Sequence, residues 1–465
     1  MPLEKYRHWI NALQSGNKRP AYLMIADLIE ADIDKGFLQA RDRLPPLREL
    51  ADLLSLNYTT VTRAYREASS RGLIDSHPGS GSFVKGKASM LPLRNGSNVE
   101  MTMNLPPEIE DAVLLQRIRD DVSNVMQGKA LTALLRYQDF GGSPADKEAG
   151  ALLLGELLPR PDVERILVCP GIHSALVALL SLLCGRNGTL CVGHLVYPGL
   201  KAIAAQIGVQ LIAVECDQDG PRPRAIEALC KSQQIQALYL NPTLQNPTTL
   251  TMSLRRREAM ADLALRYSLP IIEDDAYGWV PEQVMMPVAS LVPELTWYVG
   301  GLSKCFGAGC RTAYLYAPNR IQAQRAAGAL RALSVMASPI TSALATRWIQ
   351  NGTVERVRAA QRQQSRERQR LARGILGSLH PVAHPDGFHL WLPLPKTLAL
   401  NPSDVAVFLR NHGISAVAAA AFCADNNPPA ALRLCLGGPV SLPELEQRLL
   451  LLRDVLLETV NVSMI

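Results

Sequence analysis

The sequence predicts a two-part α/β protein: a small winged helix-turn-helix head followed by a large domain built on a mostly parallel sheet. Three observations predict it. Residues 1–86 hold short helical patterns and end in a Gly-rich hairpin signal, HPGSGSFV. Residues 87–104, KASMLPLRNGSNVEMTMN, have no period and hold the Pro, Gly, Ser and Asn of a linker. From residue 105 to 465, apolar strand-like runs alternate with amphipathic helical stretches, which is the pattern of a sheet covered on both faces.

Composition sets the bounds. A chain of 465 residues, 48% of them hydrophobic, has material for two or three domains with large cores. A net charge of +6 permits nucleic-acid binding without demanding it. The nine cysteines form no C-x2-C pair, so reduced thiols are expected and no metal site. The charged, aromatic start MPLEKYRHWI does not read as a signal peptide, and no apolar run reaches the roughly 18 residues that span a bilayer. A soluble, cytoplasmic protein with no membrane partner is the expectation.

In the head, Pro20 opens a helix running toward Lys35, with Ile25, Leu28 and Ile29 on one face and Gly36 as its stop. A second helix starts near Pro46 and carries Leu50, Leu53 and Leu54. After the tight turn Ser55-Leu56, Asn57 suits the N-cap of a third helix, YTTVTRAYREASSR, which stops at Gly72. Two short helices joined by a tight turn have helix-turn-helix spacing. The third helix opens on short polar groups, Asn57, Tyr58, Thr59 and Thr60, with Thr62 following, where a recognition helix presents its first residues to the major groove. Arg48, Arg63 and Lys85 are placed for contacts to the DNA backbone. A winged helix that meets protein instead of DNA is the bland alternative.

The run LPPLRELADLLSLNYTTVTRAYREASSRGLIDSHPGSGSFV resembles the winged helix of GntR-family regulators. The resemblance implies double-stranded DNA as a partner. Tyr58 stands where that family often has Arg, so the family's arginine contact does not carry over.

In the large domain, apolar runs at 165–169, 189–193, 209–215, 237–241, 269–275 and 296–301 read as strands. Chemistry-bearing residues cluster at their carboxyl ends, where open α/β sheets bind ligands. Ser303-Lys304 follows TWYVGG and leads through a Gly-rich loop to Arg311; burial there would lower the lysine pKa. Asp274 closes LPIIEDD, three residues before Tyr277. Asn246 lies in YLNPTLQNPTTL, Tyr197 in CVGHLVYPGL, and Gly171, Ile172 and His173 open a helix after ILVC. Singly, these read as a loop lysine, an acidic cluster capping a loop, turn chemistry and an ordinary strand–helix turn. As a set they meet the demands of pyridoxal 5′-phosphate (PLP): an imine-forming lysine, a carboxylate for the pyridine nitrogen, a helix N-terminus with Arg for the phosphate, a stacking ring and a donor to the phenolate oxygen.

Their order resembles that of the fold-type I aminotransferases across residues 105–460. By that resemblance Lys304 is the Schiff-base lysine, Asp274 the pyridine partner, Asn246 and Tyr277 the O3′ partners and Tyr197 the stacking ring. Ser303, Arg311, His173 and the 172–173 backbone hold the phosphate. Arg433 grips a substrate α-carboxylate, Tyr137 is a substrate-side aromatic near a dimer seam, and a small C-terminal α/β subdomain starts at about 345. Two positions depart: Gly301 stands where Ser or Thr is frequent, and Thr249 replaces the glycine of an N-P-T-G pattern. The Arg/Gln-rich stretch 355–373 reads as a long solvated helix.

The two parts in tandem resemble the MocR-type regulators. That resemblance implies a PLP-binding transcription regulator, a head-to-tail homodimer, that senses an amino compound or PLP through aldimine formation at Lys304. The effector would carry an amino group and a carboxylate. The rival from another class is an active PLP-dependent aminotransferase with an accessory N-terminal domain.

Overall fold

The chain divides into two units, Met1–Ser97 and Asn98–Ile465, in the computed structural model. It describes residues 3–14, 19–39, 42–71, 73–77, 81–84, 103–127, 129–395, 401–411, 413–414, 416–425 and 427–462. Gly72, Lys85 and the connection over 87–102 lie outside the described residues, as does the wing turn at 78–80.

The first unit holds α1 (His8–Gln14), α2 (Ala21–Asp34), α3 (Leu47–Leu54), α4 (Tyr58–Ser70) and an antiparallel hairpin, β1 (Ile74–His77) and β2 (Gly81–Val84). Pro20 is the N-cap of α2, and Gly36 follows its C-cap at φ +75°, a conformation glycine takes without steric cost. Ser55 turns out of α3 at φ +53°, which aims α4 across it. Ile25, Ile29, Leu50, Leu54, Val61 and Ala64 close one core. Helix α1 was not anticipated. It buries Trp9 completely, and the indole Nε1 donates to Asp32 Oδ2 at 2.8 Å, so the carboxylate beneath it is satisfied.

In the second unit all six expected runs are strands: β3 (Ile166–Cys169), β4 (Thr189–Gly193), β5 (Gln210–Val214), β6 (Ala237–Leu240), β7 (Ile271–Asp274) and β8 (Thr296–Gly301). A seventh, β9 (Ala313–Tyr316), completes the sheet in the order β3-β9-β8-β7-β6-β4-β5. Only β9 runs antiparallel to its neighbours. Strands β3, β6, β7, β8 and β9 are buried along their whole length, as a sheet covered on both faces requires. Helices α5 (Ile172–Leu183) and α6 (Pro198–Ile207) pack their apolar residues against one face.

A second, four-stranded antiparallel sheet forms a smaller lobe: β10 (Val382–Ala383), β11 (His389–Pro393), β12 (Ala416–Ala418) and β13 (Ala431–Cys435), in the order β10-β11-β13-β12. Leu376, Leu390, Leu432, Leu434, Leu449 and Leu452 make its core.

The charged stretch 355–373 corrects the reading of a merely solvated helix. It lies within a 24-residue helix, α7 (Thr353–Leu376), whose Arg358, Gln361, Ser365, Arg368 and Gln369 are buried. Burial of the Arg and Gln side chains is tolerable because they find partners, while the Ser365 hydroxyl is buried without one. Gln361 Nε2 donates to Phe306 O at 2.9 Å, and Gln369 Nε2 to Gly387 O and His389 O at 2.7 and 3.0 Å. Arg368 caps Leu436 O and Val440 O at 2.8 and 2.6 Å. All nine cysteines are free thiols. No helix among the described residues is long and apolar enough to cross a membrane.

Candidate functional site

Three consecutive acids, Glu273, Asp274 and Asp275, end β7, and the two-residue period of a strand sorts them. Glu273 and Asp275 are fully buried beside Arg257; Glu273 accepts from Val288 N and Ala289 N at 2.8 Å each, and Asp275 from Tyr298 at 3.0 Å. These two are structural. Asp274 takes the other side, toward Lys304. Its Oδ2 accepts from the Tyr239 hydroxyl at 2.7 Å, and its Oδ1 is buried with no partner. Burial pushes this carboxyl up to about 6, opposed by the Tyr239 hydrogen bond and by the Lys304 charge. An orphaned acceptor of this kind fits a protonated pyridine nitrogen.

Lys304 sits in the turn after β8. Its Nζ donates to the backbone oxygen of Asn104 and lies 6.0 Å from the centre of the Tyr277 ring. Burial, with Arg433 next in weight, lowers its pKa to about 8, although Asp274 pulls the other way. An amine so placed is in part neutral, and therefore nucleophilic, near pH 8. Tyr277 is 2% exposed and packs against Phe388 and His389. Its hydroxyl accepts from Asn104 Nδ2 at 2.8 Å.

The glycine at 171 is required. It sits at φ +87°, and a Cβ there would come within 3.1 Å of the Arg311 guanidinium. Arg311 is thereby brought to the N-terminus of α5, where the amides of Ile172 and His173 begin the helix. Burial first, then Arg311, lowers the His173 pKa, which keeps that ring neutral. Tyr197 is the N-cap of α6, and its ring lies where a side chain on Gly199 would come within 2.3 Å. Burial first, then Asp274, raises the Tyr197 pKa, with Arg311 opposing, so both charges act on its hydroxyl. Ser303 is half-buried in the Lys304 turn. A side chain at Gly301 would meet Ala313 and the Thr312 backbone at 3.0–3.1 Å, so the absent hydroxyl has no easy place.

On the smaller lobe, β13 carries Arg433, 3% exposed, whose Nη1 reaches Asn246 Oδ1 at 3.5 Å. The Asn246 backbone N–H donates to Asn241 Oδ1 at 2.9 Å, and Asn241 Nδ2 to Asp274 O at 2.6 Å. The loop after β6 is thus tied to the end of β7. Thr249 adopts φ +63° with its hydroxyl buried and unpartnered, which explains why glycine suits this position. Lys304, Asp274, Tyr277, Asn246, Arg433, Tyr197, Gly171, His173 and Arg311 therefore form one connected constellation. Tyr137, expected near a dimer seam, is 81% exposed in the single chain. Sequence reasoning missed Asn104, Tyr239 and His389. The Tyr239 signal was present, since a polar-tipped residue in a wholly buried strand needs a partner.

In the head, Tyr58, Thr62, Arg43, Arg48, Arg66 and Gly81 line one concave face. Arg43 and Arg66 had not been singled out. Asn57 is the N-cap of α4 as expected, but its side chain makes no capping hydrogen bond and stays exposed, as does that of Thr59; Thr60 is half-buried. Arg63 stacks 4.3 Å above the Tyr22 ring, on the α2 side of α4.

Fold and site together define a winged-helix head joined to an aminotransferase-fold domain whose sheet ends gather a buried lysine, a carboxylate, a tyrosine and an arginine. Residues 112–449 match the family model for aminotransferase class I and II, and residues 21–84 that for the gntR family of bacterial regulatory proteins. The chain belongs to the aminotransferase class I and II family, with a gntR-family head in front, the MocR-type arrangement. It is 30% identical over 466 residues to a Bacillus subtilis protein described as uncharacterized HTH-type transcriptional regulator YdeF, covering 98% of this chain and 99% of that one. The vitamin B6 salvage pathway transcriptional repressor PtsJ of Salmonella typhimurium is 26% identical over 377 residues, 80% of this chain and 84% of its own. Among solved structures, LysN, the alpha-aminoadipate aminotransferase of Thermus thermophilus, superposes with a TM-score of 0.69 at 20% identity, covering 79% of this chain and 96% of that one. An archaeal alanine:glyoxylate aminotransferase matches with a TM-score of 0.69 at 22% identity over 78% and 96%.

Proposed function

We propose that this protein is a DNA-binding transcription regulator of the cytoplasm that holds PLP on Lys304 and responds to a small amino compound or to PLP itself. The observation that carries the reading is Asp274: a buried carboxylate with one oxygen lacking a partner, in electrostatic contact with a lysine of lowered pKa. Bound PLP would supply an aldehyde carbon that reacts reversibly with amines, for which the Lys304 amine and an incoming effector amine would compete. The chain's own residues do the rest. Asp274 holds a proton at the pyridine nitrogen, and Tyr277 and Asn246 donate at O3′. Tyr197 covers the ring. Arg311, Ser303, His173 and the amides of Ile172 and His173 hold the phosphate. Arg433, on the smaller lobe, receives a carboxylate on the effector.

Since Lys304 and Asp274 belong to the large lobe and Arg433 to the small one, a ligand that engages both favours one lobe arrangement over another. That difference in affinity is what a sensor needs. A head-to-tail homodimer would place the heads for a two-part operator, with Asn57, Tyr58, Thr59, Thr60 and Thr62 toward the bases and Arg48 and Arg63 toward the backbone. The test has two arms. The purified protein should absorb in the visible, lose that band with borohydride, and yield a modified Lys304 by peptide mass mapping. Its affinity for operator DNA should then change when an amino acid is titrated in. No modified Lys304, or DNA affinity indifferent to both PLP and amine, overturns the reading.

A further inference from the structure

We propose that Asn104 is a positioning residue: by donating to the Tyr277 hydroxyl it leaves the phenol proton only one direction to go, into the cofactor pocket. The inference rests on the PLP reading above. Asn104 is 3% exposed, and its Nδ2 lies 2.8 Å from the Tyr277 oxygen. A carboxamide NH2 can only donate, so the phenol oxygen is the acceptor in this pair and its own O–H must find another partner. Tyr277 is 2% exposed, and among the described residues no acceptor for that O–H is seen. Asn104 Oδ1 is buried without a partner, so no second contact competes for the carboxamide's orientation. The same residue's backbone oxygen accepts from Lys304 Nζ. One residue, at the end of the connection between the two units, thus contacts both the amine that forms the imine and the phenol that faces the ring.

The chemical consequence concerns O3′. A hydrogen bond donated to the phenolate weakens its hold on the imine proton, so the imine gives that proton up at lower pH. If Asn104 enforces that donation, removing its carboxamide raises the pH at which the imine deprotonates. If the carboxamide instead sits with its oxygen toward Tyr277, the phenol proton is spent on Asn104, and the same substitution lowers that pH. The direction of the shift therefore decides.

The experiment is a spectrophotometric pH titration of the PLP-loaded full-length protein, wild type beside Asn104→Leu, Tyr277→Phe and the double variant. The expected result is an upward shift of about one pH unit, roughly a tenfold change in proton affinity, for Asn104→Leu. Tyr277→Phe should shift at least as far, and the double variant no further than Tyr277→Phe alone, because the asparagine acts only through the phenol. Asn104→Ser, a smaller and still polar replacement, should shift in the same direction and serves if the Leu variant does not fold. An unchanged midpoint, a downward shift, or additive shifts in the double variant overturn the proposal while the PLP reading stands. Absence of any borohydride-fixed cofactor on wild-type Lys304 overturns both.

Discussion

In the head, the polar groups of the concave face stay at the surface: Tyr58 is 49% exposed, and Arg48, with Arg43 and Arg66 beside it, is open to solvent. In the large unit, the groups expected to meet a small ring are withdrawn: Asp274, Tyr277, Asn246 and Arg433 are each 7% exposed or less. The difference follows from the ligands. A polyanion in water is held by many contacts, each weak and salt-dependent, so no single one must be pre-paired or dry. A cofactor ring is held by few contacts in a low-dielectric pocket, where each is strong when made and costly when left open. Substitutions should therefore act abruptly in the pocket and gradually in the head.

The largest expected effect is Lys304→Ala. It should abolish borohydride-fixed cofactor completely while leaving non-specific DNA binding at matched salt unchanged; a parallel loss in both assays would break the contrast. Next is Asp274→Asn. It should weaken PLP binding about tenfold to a hundredfold, the worth of a charge-assisted hydrogen bond, as measured by equilibrium titration. The same variant should stabilise the cofactor-free protein. The folded pKa of Asp274, about 6, lies above its ordinary 3.8, so the native state binds the extra proton between those values. Stability therefore falls as pH rises through that window, by about 3 kcal/mol once it is crossed. Denaturant melts of cofactor-free wild type and Asp274→Asn should agree near pH 4 and separate by pH 7, with the variant the more stable.

In the head, Arg66→Ala should weaken binding about equally to all sequences and reduce the slope of log affinity against log salt by about 1. A sequence-selective loss would mean that Arg66 reads bases. The smallest effect is Thr249→Gly, which removes a left-handed β-branched residue and an unpartnered hydroxyl. It should stabilise the large unit by about 1 kcal/mol, and a melting temperature that falls would show that Thr249 contributes something its surroundings do not display.

The sheet was legible because its strands are buried on both faces and so read as unbroken apolar runs. Lys304, Asp274, Asn246 and Gly171 were legible because each stands where such a run ends. Asn104 was not: its neighbours Tyr277 and Lys304 lie 173 and 200 residues away, and nothing in MTMN signals a return to the sheet. Trp9 was not legible as core, because the partner its indole needs, Asp32, lies 23 residues further on. The buried face of α7 escaped notice for a different reason. Periodicity arguments search for apolar stripes, and this stripe is made of polar side chains, of which Gln361, Arg368 and Gln369 are partnered by carbonyl oxygens elsewhere in the chain.

That helix works as a tie-rod. Gln361 and Gln369 stand eight residues apart on it, about 12 Å along a stiff axis. The first clasps the carbonyl of Phe306, two positions beyond Lys304, and the second the carbonyl of His389 in the smaller lobe. Were that lobe to rock, it would have to carry the lysine turn along with it or release one of these clasps, so the strut would convert a tilt around Arg433 into a tug beside Lys304.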